Sequence, residues 1–149
     1  MFTKEYQYEN IIAKVKIWDT AGQEKFHTIT KSFYNQSQGV LLLFDLTDQH
    51  SFENVEKWMN DIYNHADQNV IKFLIGNKLD LVSQRVITKE VGLAKASKYK
   101  MQYFETSAKT GEGINETVEK LVLQILDAKV TKVSGGNLEE QRGGNTKCC

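Results

Sequence analysis

From residue 11 the chain alternates. Ala13, Val15 and Ile17 are apolar and Lys14 and Lys16 charged, the period-two pattern of a half-buried strand that ends at Asp19. Further on, "GVLLLFD", Gly39 to Asp45, is a continuous apolar run closed by an acid, which predicts a strand buried on both faces. The period then lengthens: Phe52, Val55, Trp58, Met59 and Ile62 recur at helical spacing, and Ser51 stands where a hydroxyl can cap a helix. "VIKFLIGNK" reads as a second buried strand and "QYFETS" as a short third one. Between them Thr88 to Tyr99 has Val91 and Ala94 on one side, a modest helix with Thr88 as its cap. A stripe of Ile114, Val118, Leu121, Val122, Ile125 and Leu126 predicts the last helix. Strands and helices in this order give an α/β fold with a mainly parallel sheet flanked by helices. From Ser134 to Lys147 the one large apolar residue is Leu138, too little to offset the entropy of ordering. A domain over residues 1–130 and a flexible tail over 131–149 are therefore expected.

Composition narrows the setting. The 149 residues carry 19 Lys+Arg against 19 Asp+Glu, so no basic surface argues for nucleic acid, and no nucleic-acid partner is expected. The longest uncharged apolar run, Gly39 to Phe44, falls far short of the ~20 residues of a membrane-spanning helix. Met1 to Glu5 lacks the apolar core of a signal peptide, which leads to the expectation of an intracellular protein. Both cysteines, Cys148 and Cys149, are the last residues, so neither a disulfide nor a structural zinc site holds the body of the domain. The histidines, His27, His50 and His65, are not clustered and read as surface residues.

Polar loops close the predicted strands, where open parallel sheets bind ligands. In "GNKLD", Gly76 to Asp80, an amide, an ammonium and a carboxylate project from one turn. Asp80 can accept two parallel hydrogen bonds from a planar N–H pair such as that of guanine. Asn77 can brace the turn or meet a purine acceptor, and the stem of Lys78 can lie over a ring. Alone, this stretch fits a plain polar turn better. "ETSAK", Glu105 to Lys109, also follows a strand, and Ser107 with the N–H groups near Ala108 offers donors to a carbonyl oxygen. Two such loops on successive strands suggest one purine pocket. "WDTAGQE", residues 18–24, then fits as the phosphate end: Asp19 suits a Mg²⁺ shell, Gly22 lets a backbone N–H approach a terminal phosphate, and Gln23 can orient water.

"WDTAGQEKF", "GNKLD" and "ETSAK", in this order and at these separations, resemble the nucleotide-site motifs of the Ras superfamily and specifically its Rab branch. "KSFYNQSQGVLLLFDLTDQHSFENVEKW" and the terminal "KCC" are similar to Rabs as well. The resemblance runs from about Ile11 to Asp127 and implies a small G-domain that binds and hydrolyses GTP to regulate vesicle trafficking. It implies that Asp19, Thr20, Ala21, Gly22 and Gln23 face the phosphates, with Asp19 serving Mg²⁺ and Gln23 the catalytic water. It assigns Asn77, Lys78, Asp80, Ser107, Ala108 and Lys109 to the guanine of GTP or GDP. It further implies effectors, an exchange factor, a GAP and an escort protein as partners, with Trp18, Phe26 and Phe33 as candidate contacts or ordinary core. Prenyl groups on Cys148 and Cys149 would tie the chain to the cytoplasmic face of intracellular membranes, alongside a cytosolic pool.

The sequence departs from that pattern in two respects. No G-x-x-x-x-G-K-[ST] stretch occurs in it, and "YENII" stands where a Rab has a Thr-Ile-Gly after "FTKEYQ". The chain thus resembles a Rab without its P-loop strand, first helix and most of the next strand. The expected consequences are that "GVLLLFD" and "VIKFLIGNK" lack a shared neighbour and that phosphate grip and GTP hydrolysis are weak. The alternatives are a nucleotide-independent binding module and a non-functional fragment.

Overall fold

A computed structural model describes residues 2–8, 11–19, 34 and 36–139, with Tyr8 and 132–139 described in their backbone only. Strand β1 (Phe2–Tyr8) and strand β2 (Ile11–Ile17) form an antiparallel pair, in register from Phe2 opposite Ile17 to Tyr8 opposite Ile11. The expected alternation of β2 holds: Ala13, Val15 and Ile17 are half-buried while Lys14 and Lys16 are exposed. β1 was not foreseen as a strand. Its charged Lys4 and Glu5 interrupt the apolar period, and its pairing with β2 supplies the hydrogen bonds that its own pattern does not advertise.

A second sheet holds β3 (Gly39–Asp45), β4 (Ile71–Asn77) and β5 (Gln102–Glu105) in that spatial order, all parallel. This corrects one expectation. β3 and β4 share an unbroken ladder from Gly39 opposite Ile71 to Asp45 opposite Asn77, so they are direct neighbours and lack nothing between them. The discontinuity lies instead between β2 and β3, which belong to different sheets. Burial of β3 follows suit: Leu42 and Phe44 are buried, but Leu43 on the opposite face is 53% exposed.

Helix α1 (Gln49–Glu53) and helix α2 (Val55–His65) follow β3, and helix α3 (Lys89–Lys98) follows β4. Asp48, not Ser51, caps α1: its carboxylate accepts the His50 N–H at 2.9 Å, in the reach an N-cap side chain has. The Ser51 hydroxyl accepts the Asp45 N–H at 2.9 Å and donates to the Asp48 carbonyl at 2.8 Å, tying the helix start to the end of β3. Thr88 caps α3 as expected, accepting the Val91 N–H. A 3-10 turn spans Val82–Gln84.

Apolar side chains cover both faces of the parallel sheet. On one, Leu42, Phe44 and Leu74 pack with Phe52, Val55, Met59 and Ile62 of α1 and α2; on the other, Phe73 and Ile75 pack with Leu121. Phe44 meets Phe52 edge-on at 4.9 Å between ring centroids. Leu121 belongs to helix α4 (Ile114–Glu139), which begins after Gly113, a residue with φ of 71° whose added Cβ would lie 2.7 Å from the Glu105 carbonyl oxygen.

α4 continues beyond the boundary expected at residue 130. The intrahelical ladder carries it on, and the Thr131 hydroxyl adds a bond to the Asp127 carbonyl at 2.8 Å. β5 ends sooner than "QYFETS" suggested, because Thr106 and Ser107 turn out of the strand. His50 is exposed as expected, whereas His65 at the end of α2 is half-buried, with Nδ1 unpartnered among the described residues.

Gly92 in α3 faces the Tyr103 ring, and a Cβ there would fall 2.4 Å from Cζ and 2.5 Å from the hydroxyl oxygen. In an open helix Gly→Ala gains up to about 1 kcal/mol. Here the ring is held by its hydrogen bond to Glu105 at 2.8 Å, so it cannot simply step aside. Overpacking of this kind costs about 1–3 kcal/mol. Gly92→Ala is thus expected to lower stability in urea denaturation, whereas an unchanged or raised midpoint would contradict the packing described.

Candidate nucleotide site

The loops after β3, β4 and β5 leave the same end of the parallel sheet, because the ladder sets Asp45 opposite Asn77 and Gly76 opposite Glu105. Two of these loops are bonded into one unit. The Asn77 side-chain oxygen accepts the Ala108 N–H at 3.0 Å. The fully buried Ser107 donates its hydroxyl to Asp80 Oδ1 at 2.5 Å and accepts the Thr110 N–H at 3.1 Å. The Leu79 N–H reaches the Thr106 carbonyl at 3.0 Å. Asp80 is thereby oriented through one oxygen, while Oδ2 has no hydrogen-bond partner among the described residues. A half-buried carboxylate with an oxygen to spare suits the paired N–H groups of guanine.

The other residues of the loops are differently placed from expectation. Of the two roles open to Asn77, the structure shows the bracing one. Its bond takes up the Ala108 N–H that was expected to serve a carbonyl oxygen, since the Asn oxygen lies within hydrogen-bond reach. Ser107 likewise spends its hydroxyl on Asp80. Lys78 adopts a left-handed backbone with φ of 68°, and its ammonium sits 2.6 Å from Asp45 Oδ2. Lys109 is exposed.

Asp45, the acid that closes "GVLLLFD", is a further polar residue of this end, and its position after the apolar run is the one sequence signal for it. Its Oδ1 accepts both the Thr47 N–H at 2.8 Å and the Thr47 hydroxyl at 2.7 Å. Desolvation alone would raise the Asp45 carboxyl, but the Lys78 ammonium and the Thr47 donors outweigh it and hold it below the usual carboxylate range. The same pairing raises the Lys78 ammonium above its ordinary value. Beneath the second loop, Arg85 pairs both guanidinium nitrogens with the Glu105 carboxylate and donates from Nε to the Ile87 carbonyl at 2.8 Å. That ion pair raises the Arg85 value further, and burial followed by the Glu105 bond pushes the Tyr103 hydroxyl up.

Asp19 follows β2 and is exposed. Among the described residues no group of three or more His, Cys, Asp or Glu could hold a metal ion. A lone carboxylate suits Mg²⁺ only where phosphate and water oxygens complete the shell, a role Mg²⁺ readily accepts because it keeps several waters. Thr20, Ala21, Gly22, Gln23, Phe26, His27, Phe33, Cys148 and Cys149 lie outside the described residues. Trp18 is 50% exposed. No described helix is long and apolar enough to cross a membrane.

The profile of the Ras family matches residues 1–127. The chain belongs to the Ras family. Its relatives place it in the Rab branch. It is 41% identical over 141 residues to Ras-related protein Rab-10 of Diplobatis ommata, covering 91% of this chain and 70% of that protein. To GTP-binding protein ypt2 of Schizosaccharomyces pombe it is 44% identical over 117 residues, covering 78% of this chain and 58% of the relative. To Ras-related protein RIC1 of Oryza sativa subsp. japonica it is 47% identical over 112 residues, covering 75% and 55%. The chain thus spans between about half and about two thirds of the length of these relatives. The parallel β3–β4–β5 sheet flanked by helices is consistent with the α/β G-domain fold of the Ras family.

The Asp45–Lys78 pair has a pH signature. A carboxyl whose folded value is lowered contributes stability above its unfolded value of 3.8, and loses it as pH falls through the folded value. The parent chain should therefore lose stability more steeply below about pH 4 than Asp45→Asn, which has no such proton to take up. Parallel acid-limb denaturation curves for the two would sink this assignment.

Proposed function

We propose that this chain is a Rab-type guanine-nucleotide switch acting in vesicle trafficking, with Asp80 as the residue that reads the base. The observation that carries this reading is the hydrogen bond from buried Ser107 to Asp80, which fixes the carboxylate before any ligand arrives. Asn77 and Ala108 hold the second loop against the first. Lys78 and Lys109 flank the base from exposed positions. In this proposal Asp19 holds Mg²⁺ with the help of nucleotide oxygens, Thr20, Ala21 and Gly22 line the terminal phosphate, and Gln23 orients the attacking water. Mg²⁺ supplies neutralisation of phosphate charge when bound. Phosphoryl transfer depends on phosphate donors, and no G-x-x-x-x-G-K-[ST] stretch occurs in these 149 residues.

The remaining assignments follow the same reading. Cys148 and Cys149 carry prenyl chains, two of which anchor a protein stably where one does not. An escort protein, an exchange factor, a GAP and effectors are its partners, and its place is the cytoplasmic face of intracellular membranes with a cytosolic pool. A second reading is a nucleotide-independent module that binds Rab partners. That reading requires partner binding unaffected by GTP.

Guanine reading is testable by base discrimination. A charge-assisted hydrogen bond contributes about 1.5–3 kcal/mol, or roughly tenfold to a hundredfold in affinity. Fluorescent GDP should therefore bind at least about tenfold more tightly than fluorescent ADP. Asp80→Asn should reverse part of that preference toward xanthosine diphosphate, whose C2 carbonyl accepts from the Asn amide where guanine offers only donors. Equal affinity for GDP and ADP would leave the nucleotide reading without its basis and favour the second one.

A further inference from the structure

A separate groove lies at the other margin of the parallel sheet. β5 is the end strand, and no strand among the described residues pairs with its outer edge. Groups on a strand point alternately to either side. The Thr106 N–H is directed at the Gly76 carbonyl of β4, so Tyr103, an odd number of positions away, turns its N–H and C=O outward. An open cavity of about 570 Å³ runs along this edge, walled by Leu93 and Ser97 of α3, Phe104 of β5 and Lys120 of α4. Met101 and Ala96 form its buried floor.

Two features bear on what the groove could hold. Leu93 is 47% exposed toward solvent although it stands on a helix whose Gly92 and Ala96 are buried. The two lysines of the groove are also uncompensated. Lys120 lies 5.3 Å from the centroid of the Phe104 ring, and neither it nor exposed Lys100 has a carboxylate within 4.0 Å among the described residues. On the far side of α3, Lys95 and Lys98 both pair with Glu56, at 3.2 and 2.9 Å, so that acid is already engaged away from the groove. Positive charge is therefore left over at the open strand edge.

We propose that this groove binds an extended acidic peptide of a partner protein, added as a strand alongside β5. An edge strand supplies main-chain hydrogen bonds, and pockets for alternate side chains supply selectivity. Here Tyr103 offers the main-chain donor and acceptor, Leu93 with Met101 receives an apolar side chain on the α3 side, and Lys120 and Lys100 receive carboxylates. A concave site with an open strand edge suits a peptide, whereas a bilayer surface would need a convex or flat basic face. The edge is short, so the contact is a weak and selective one.

The test uses a blocked, fluorescein-labelled peptide of sequence Ser-Glu-Leu-Asp-Leu-Glu-Ser and the full chain. Fluorescence anisotropy is expected to show saturable binding that weakens with added salt. Combined Lys100→Glu and Lys120→Glu should reduce affinity about tenfold or more, by placing like charges opposite the peptide. Methylating the two Leu amide nitrogens of the peptide should reduce it comparably, since it removes donors needed for strand addition. Both lysines are exposed, so matching melting temperatures are expected for the variant and the parent. The proposal is overturned if no saturation is reached at millimolar peptide, if the methylated peptide or the charge-reversed chain binds equally well, or if the chain prefers phosphatidylserine vesicles to the peptide.

Discussion

The parallel ladder of β3, β4 and β5 is the constraint from which the candidate site follows. With Asp45 level with Asn77 and Gly76 level with Glu105, three chemically different loops must leave the sheet at one end and in contact. A slip of one residue would turn each strand's apolar set to the other face, taking Leu74 and Phe44 out of the cluster with α1 and α2. Core packing thus fixes register, and register fixes which polar groups meet. The Ser107 to Asp80 and Asn77 to Ala108 bonds are the local outcome of that global alignment.

The charged groups at this end divide into two kinds. Asp80 is held by a neutral hydroxyl and keeps acceptor capacity, so a ligand with paired donors can add to it without displacing anything. Lys78 is already engaged with Asp45, so a ligand that used its ammonium would have to compete with a carboxylate at 2.6 Å. Half of the Lys78 side chain is exposed, and water screens the pair, which keeps such an exchange within reach of ordinary ligand binding. Asp45 therefore acts as a resting place for Lys78, and Asp80 is the better prepared of the two groups to receive a ligand.

Much of this was legible in the sequence because the signals were local. Continuous apolar runs marked β3 and β4, the stripe from Ile114 to Leu126 marked α4, and the placement of "GNKLD" and "ETSAK" after strands marked two loops that meet at one end of the sheet. What was not legible depended on contacts between distant segments. No local pattern distinguishes an Asn oxygen that meets a ligand from one that meets Ala108, 31 positions away. The same holds for Lys78 and Asp45, and for Arg85 and Glu105, whose pairing is visible only once β4 and β5 are aligned. The cap of α1 failed for a smaller reason: Asp48 and Ser51 are both good capping residues, and the Ser51 hydroxyl is drawn to the Asp45 N–H instead.

The Arg85–Glu105 pair gives the second loop a rigid base. Glu105 is the last residue of β5 and stands two positions before Ser107, so its orientation constrains the start of the loop that holds Asp80. Its carboxylate accepts from both Arg85 nitrogens and from the Tyr103 hydroxyl, and only 12% of its side chain is exposed. Removing one partner from a fully buried pair costs about 3–5 kcal/mol because the other charge is left uncompensated. With a quarter of the Arg85 side chain still exposed, the cost here falls below that range yet above that of a surface pair, about 0–1 kcal/mol. Tyr103 joins this brace to Gly92 and Gly76, both of which lack the Cβ that would push its ring away. One tyrosine thereby connects α3, β4 and the loop of Ser107, so the candidate nucleotide end and the open edge of β5 rest on the same side chain.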